Sequence, residues 1–298
     1  MRFSVLGSGS RGNSSLVRAG GPGLLIDIGF GPRNLGARLA RVGAGWDSIG
    51  TVVLTHTHQD HVDTGTLSHL ATRRVPLYCH EAHREVLKDH AAFRVAESRG
   101  LIRTYDERPW LTPCGLRIEP IEAHHDAPAT FGFRIEGRLA RGRCRSVGYL
   151  ADTGMWTAIQ ADALAEADLL ALEFNHDVEM QRTSGRPPLL IRRILGHRGH
   201  LSNAQGAELL RAVLSRSRPG RVRSAVLIHL SEQCNRPELA AAAARSAASK
   251  AGRRLAIHIA LAQEPAPDVR LDHTAPRRAQ SPSRVAAARR PVECPTWF

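Results

Sequence analysis

The chain is poor in the residues that staple small secreted folds. Its five cysteines in 298 residues (Cys79, Cys114, Cys144, Cys234 and Cys294) are odd in number, scattered, and without a C-x-x-C pair. That pattern argues against a disulfide framework and a cysteine-based zinc knuckle, and the thiols read as reduced and mostly structural. Long apolar runs are also missing, so no segment reads as a membrane-spanning helix. The start from Met1 to Leu6 enters a Gly-Ser loop without a signal-peptide core or cleavage site, and the expectation is a cytoplasmic protein that does not enter a membrane. Aromatic residues make up only 5%, which leaves few platforms on which bases could stack. Acidic residues are in deficit, 28 against 41 Lys and Arg, and the resulting net charge of +13 favours contact with a polyanion.

Hydrophobic residues at 42% are enough for a full core. Strands are expected at residues 3–7, 24–28, 51–54, 75–79, 116–123, 131–135, 146–151, 169–174 and 225–229, with helices at 33–42 and 64–72. The alternation predicts a layered α/β domain over residues 1–262. From about residue 263 the chain turns Pro-, Ala- and Arg-rich and loses periodicity, so 263–298 reads as a flexible tail. The glycine- and serine-rich stretch from Gly7 to Ser15 is expected to join the first two strands directly. It either presents N–H groups to an anion or serves as a tight connection.

The most informative stretch is Thr55-His56-Thr57-His58-Gln59-Asp60-His61, placed directly after the apolar Val52-Val53-Leu54. An extended His-x-His pair sends both imidazoles to one side, and the turn at Asp60-His61 brings two further donors to a neighbouring point. One loop can then serve two adjacent divalent ions, which implies hydrolysis. More donors follow at the carboxyl ends of later apolar runs: His124-His125-Asp126, Asp152 and His229, where open α/β sheets place their sites. Asp27, at the end of its own strand, is expected to orient a ligand by hydrogen bonding. Ser202-Asn203-Ala204-Gln205 forms a capping box that fixes a helix start just after His200, which makes this imidazole the candidate proton donor to a leaving oxygen. Arg182, Arg186, Arg192, Arg193 and Arg198 flank the same region and suit successive phosphates, with His176 either a support behind the site residues or a weaker substrate contact.

These motifs resemble the metallo-β-lactamase superfamily in sequence order. Gly7-Ser8-Gly9-Ser10-Arg11-Gly12-Asn13-Ser14, Asn175-His176-Asp177, Gly199-His200-Leu201-Ser202-Asn203 and His229-Leu230-Ser231 are similar to its YycJ/WalJ-like exonuclease branch, over about residues 1–261. The resemblance implies a four-layer αββα sandwich. It also implies a first metal on His56, His58 and His125, a second on Asp60, His61 and His229, and Asp152 bridging. His125 is preferred to His124 because His125-Asp126-Ala127 followed by Phe131-Gly132-Phe133 fits the branch. Cys234 stands where an asparagine is expected. The implied chemistry is a hydroxide held between two divalent cations, zinc or else manganese or iron, attacking a phosphodiester, with Asp60 orienting it or taking a proton. The implied activity is a 5′-to-3′ DNA exonuclease, and DNA the implied partner. The alternatives are a ribonuclease or small phosphodiesterase of the same fold, a thioester or lactam hydrolase, or a non-catalytic metal-stabilised nucleic-acid-binding module. Oligomeric state is left open.

Overall fold

A computed structural model of the chain describes residues 1–139, 142–266 and 268–271. One sheet contains β1 (Arg2–Gly7), β2 (Ser14–Arg18), β3 (Gly23–Ile26), β4 (Ile49–Val53), β5 (Leu77–His80) and β6 (Ile102–Tyr105). The other runs through β7 (Trp110–Leu111), β8 (Leu116–Ala123), β9 (Thr130–Arg138), β10 (Cys144–Leu150), β11 (Leu169–Glu173), β12 (Ser224–Ile228) and β13 (Ala256–Ile259). A last strand, β14 (Val269–Arg270), returns to the first sheet and pairs antiparallel with β1. Within each sheet an antiparallel half leads into a parallel half, β3 to β6 in the first and β10 to β13 in the second.

Side-chain alternation along the strands sorts the core into three seams. Leu24, Ile26 and Val53 point between the sheets, where they meet Phe131, Phe133, Val147, Tyr149, Val226 and Ile228. Their neighbours Leu25 and Val52 point outward, against Leu35 and Leu39 of α1 (Pro32–Arg41), Leu67 and Leu70 of α2 (Thr64–Thr72), Leu87 of α3 (Glu81–Leu87) and Phe93 of α4 (Ala91–Ser98). On the far side Leu170, Leu172 and Leu227 pack against α5 (Ala158–Leu164), and two short helices follow, α6 (Val178–Arg182) and α7 (Pro188–Leu195). That outer layer is completed by α8 (Asn203–Arg216) and α9 (Pro237–Lys250). The result is the four-layer αββα sandwich. No helix among the described residues is long and apolar enough to cross a membrane.

Three local expectations change. The Gly-Ser stretch does not lead straight into the strand at Leu24, because β2 intervenes; its serines Ser14 and Ser15 are buried despite their polarity. The folded part passes the expected boundary at 262. Ala266 donates its N–H to the Val5 carbonyl, Leu271 donates to that of Met1, and Ala266, Val269 and Leu271 are buried. The rest of the expected tail, 272–298, lies outside the described residues. Cys79, Cys114 and Cys234 carry free thiols, whereas Cys144 is disulfide-bonded, against the expectation of reduced cysteines throughout.

Candidate metal centre

Strand ends from both sheets meet at one rim of the sandwich. The first sheet delivers the loop after β4. Its fold depends on Gly29, where a β-carbon would lie 1.8 Å from the Asp60 carbonyl, so only glycine lets the two segments touch. The second sheet delivers His125 after β8, Asp152 after β10, Glu173 at the end of β11 and His229 after β12. Of the six non-glycine residues with positive φ among the described residues, three are here: Asp27 (φ 61°), Asp152 (φ 53°) and His229 (φ 58°). Left-handed backbone of this kind persists only where the surroundings enforce it. At His229 the N–H is donated to Ser8 Oγ at 2.8 Å, and the carbonyl accepts from Asn175 Nδ2 at 2.8 Å.

Donor atoms of His56, His58 and His125 lie within 4.8 Å of one another, as do those of Asp60, His61 and His229. Asp152 falls in a group with His56 and His61, and in another with His229, Glu173 and His200. His58 Nδ1 is 3.3 Å from His125 Nε2, and His61 Nε2 is 3.1 Å from Asp152 Oδ2. His124 belongs to none of these groups.

Hydrogen bonds from behind decide which nitrogen each imidazole presents. His61 Nδ1 donates to Asp27 Oδ2 at 2.8 Å, which leaves Nε2 facing Asp152 and Asp60. Asp27 also accepts from the Thr55 N–H and hydroxyl, and that hydroxyl in turn takes the Nδ1 proton of His56 at 3.0 Å. His125 Nδ1 donates to the Gly199 carbonyl at 2.9 Å. Gly199 must be glycine, since a β-carbon would sit 2.2 Å from the Ile194 carbonyl oxygen.

Two buried nitrogens at the focus, His56 Nε2 and His229 Nε2, are left without a hydrogen bond, and Asp152 Oδ2 has only the His61 ring as a close neighbour. Unpaired buried polar atoms cost about 1–3 kcal/mol each, and a cation among them removes that cost. The donor set, imidazole and carboxylate without thiolate, suits zinc, manganese or iron. The residues therefore fit divalent metal.

Burial lowers the pKa of His56 well below its ordinary value, and neighbouring His61 pushes the same way. Burial also disfavours charge on His61 and His229, but there the carboxylates win. Asp27, Asp152 and Asp60 hold His61 well above the imidazole range, and Asp152, Asp60 and Glu173 raise His229 to about 10. Both rings are thus protonated at neutral pH when no metal competes. A raised pKa stabilises the fold fully below the ordinary value of 6.5, and that contribution disappears as pH climbs through the folded-state value. Chelator-treated protein is expected to lose melting temperature steadily between pH 6.5 and about 10, with a flatter profile once metal is restored. Calorimetric melting across that range checks it.

Glu173, which the sequence reading did not single out, is fully buried and joins two functional histidines. Its Oε1 accepts from His200 Nδ1 at 2.8 Å and lies 3.2 Å from His229 Nδ1, while Oε2 accepts the Thr153 N–H at 2.9 Å. Burial pushes its pKa up, yet His200 and His229 bring it below the usual value, so it stays ionised. Ser202 and Gln205 form the capping box of α8, which sets the segment carrying His200. Asn13 was also missed. Its Nδ2 donates to Asp60 Oδ2 at 3.1 Å, and its Oδ1 accepts from Gly9 N and from Ser8 Oγ, the serine under His229. The Gly-Ser loop is thus closed around Asn13 and braces Asp60 and His229, in place of the anion cradle considered for it.

The arginines divide. Arg193 reaches Asp126, whose Oδ1 is 3.4 Å from His125 Nε2 and 3.7 Å from His58 Nε2. Arg198 Nε donates to the His125 carbonyl at 3.0 Å. Arg186 is bound to Gln233 Oε1, and Arg182 and Arg192 are exposed on α6 and α7. Of the two roles expected of His176, its burial leaves support of the site rather than contact with substrate. It is 1% exposed, and burial drives its pKa down to about 4 as a neutral ring behind Glu173 and His200. Trp156 packs partly buried against the core of the second sheet. Cys234 is buried and joins no ligand group. Its neighbour Asn235 bonds the carbonyls of Phe174 and Asn175 and the side chain of Asn203.

Comparison with known proteins places this geometry. The model of the beta-lactamase superfamily domain matches residues 23–230. Exodeoxyribonuclease WalJ of Streptococcus pneumoniae serotype 2 is 29% identical over 247 residues, covering 80% of this chain and 85% of that protein. Exodeoxyribonuclease YycJ of Bacillus anthracis is 27% identical over 243 residues, covering 80% and 86%. Among solved structures, the metallo-beta-lactamase fold protein YhfI from Bacillus subtilis superposes with a TM-score of 0.62 at 17% identity, covering 90% of this chain and 99% of that one.

Proposed function

Because the chain belongs to the beta-lactamase superfamily, we propose that it is a metal-dependent phosphodiesterase acting on DNA, as an exonuclease working in the 5′-to-3′ direction. Carrying the reading are the two adjacent donor groups, one of His56, His58 and His125 and one of Asp60, His61 and His229, with Asp152 grouped with members of each and Arg193 and Arg198 bonded to Asp126 and the His125 carbonyl beside them. The similarity to two exodeoxyribonucleases over most of their length supports DNA as the substrate.

His56, His58 and His125 would hold one ion, Asp60, His61 and His229 a second, with Asp152 between them. Divalent cations there would supply Lewis-acid activation of water and neutralise charge at the phosphoryl group. Asp60 stays ionised, because burial, which raises its pKa, is outweighed by His61 and His229. It can therefore orient water or accept a proton. His200, held at Nδ1 by Glu173 and partly exposed, has its other nitrogen left to protonate the leaving oxygen. Arg193 and Arg198 bind flanking phosphates, and guanidinium forks match phosphate oxygens.

Purified protein incubated with 5′- and 3′-end-labelled DNA, RNA of the same sequence and a small chromogenic diester, with and without chelator, tests the proposal. The expected result is chelator-sensitive loss of nucleotides from the 5′ end of DNA. Faster removal from RNA would make the enzyme a ribonuclease. Cleavage of the small diester alone would overturn the nuclease reading.

A further inference from the structure

His124 and His125 follow the end of β8 and take different roles. His125 enters the ligand groups. His124 lines a cavity of about 440 Å³ in which His125 is also a wall, so cavity and candidate metal centre are contiguous. We propose that this cavity is a subsite for one nucleobase of the substrate, an inference that rests on the phosphodiesterase reading above.

Size is the first argument. Small-molecule sites span about 300–1,000 Å³, and this volume falls at the low end, where a single nucleoside fits and a duplex does not. Chemistry of the walls is the second. His80, His124 and Met155 offer flat or polarizable surfaces of the kind on which unstacked bases lie, and the His80 ring is backed by Phe131 of the core, with ring centroids 5.2 Å apart. Glu107 and Glu122 stand on the same lining. Their carboxylates repel phosphate but accept hydrogen bonds, and each base carries N–H donors on its pairing edge. A cavity for the backbone would be cationic throughout. Here the guanidinium of Arg198 is tied to the His125 carbonyl, on the side shared with the candidate metal centre, where a phosphate belongs.

The third argument is that the backbone carrying these walls, and the His80 ring, are held before any ligand arrives, which reduces the ordering cost of binding. The His124 N–H is donated to Thr153 Oγ1 at 3.1 Å, and its carbonyl accepts from Gly154 N at 2.8 Å, which joins the His124 and Met155 walls. His80 Nδ1 accepts the Ala82 N–H at the start of α3, and its Nε2 is 3.8 Å from Glu107.

Calorimetric titration of the metal-loaded protein with 2′-deoxyadenosine 5′-monophosphate and with 2-deoxyribose 5-phosphate, which lacks the base, isolates the subsite. The nucleotide is expected to bind at least about tenfold more tightly, as stacking of a base on such walls implies. That preference should fall toward unity in His124→Ala and, independently, in the cavity-filling Met155→Trp, with metal content unchanged by elemental analysis. Equal binding of the two ligands by the parent would overturn the inference, as would an undiminished preference in both variants. A parent that prefers the nucleotide yet cleaves no nucleic acid keeps the subsite and removes the nuclease reading. Cleavage of DNA without that preference does the reverse.

Discussion

Replacing Asp152 with asparagine is expected to reduce DNA cleavage by about a thousandfold or more, since even residues that only orient metal ligands carry about 10- to 100-fold. Asp152 groups with His56 and His61 on one side and with His229, Glu173 and His200 on the other, so its carboxylate reaches residues of both proposed ion sites. Burial alone would raise its pKa, but His229, His61 and His56 hold it well below the usual carboxylate value, so it supplies a full negative charge among imidazoles. Asparagine keeps the volume and tolerates the left-handed backbone at this position, but it carries no charge with which to hold two cations or balance the rings. Elemental analysis should show lost metal while circular dichroism shows a retained fold. Cleavage at the parental rate with full metal content would remove Asp152 from the centre.

The second large effect concerns Glu173. Glu173→Gln is expected to lower kcat about a hundredfold with KM little changed, the range for loss of a positioned general acid. One carboxylate oxygen serves His200 Nδ1 and His229 Nδ1 together, and the other is occupied by the Thr153 N–H. A glutamine must turn its NH₂ either toward the Thr153 N–H or toward the two imidazoles, and in neither arrangement does it keep the charge that holds His200. His200→Ala should show a similar kcat loss, and the double variant little more than either alone, because residues that act as a unit are not additive. Additive losses would mean that Glu173 acts through His229 alone. The His200→Ala protein should keep its metal, which separates proton donation from loading.

How much of this was legible depends on whether the partners are close in sequence. His56, His58, Asp60 and His61 announce themselves because one loop supplies them all, and Asp27 because it ends a strand beside that loop. Glu173 could not be found the same way. Its partners are 27 and 56 residues away, and in the sequence it is one acidic residue ending an apolar run. Asn13 was hidden differently. Its loop is rich in glycine and serine, which suit an anion cradle as well as a brace, and only the folded loop shows the Asn13 amide filling the space. His176 stayed open between two roles because a histidine beside two site segments reads equally as support or as substrate contact, and only the turn into α6, which buries its ring, decides between them. The strand pattern was readable where apolar residues run on, and unreadable at β2, whose buried serines look like loop, and at β14, which follows a proline-containing segment.

Neither sheet owns a complete set of donors: one contributes His56, His58, Asp60 and His61, the other His125, Asp152 and His229. The distance between the two sets is therefore governed by the apolar seam between the sheets, and by side chains such as Phe133 and Tyr149 that never approach the rim. Cation affinity consequently becomes a remote gauge of how well the interior is packed. A cavity opened deep in that seam would register as weaker loading before it registered as unfolding.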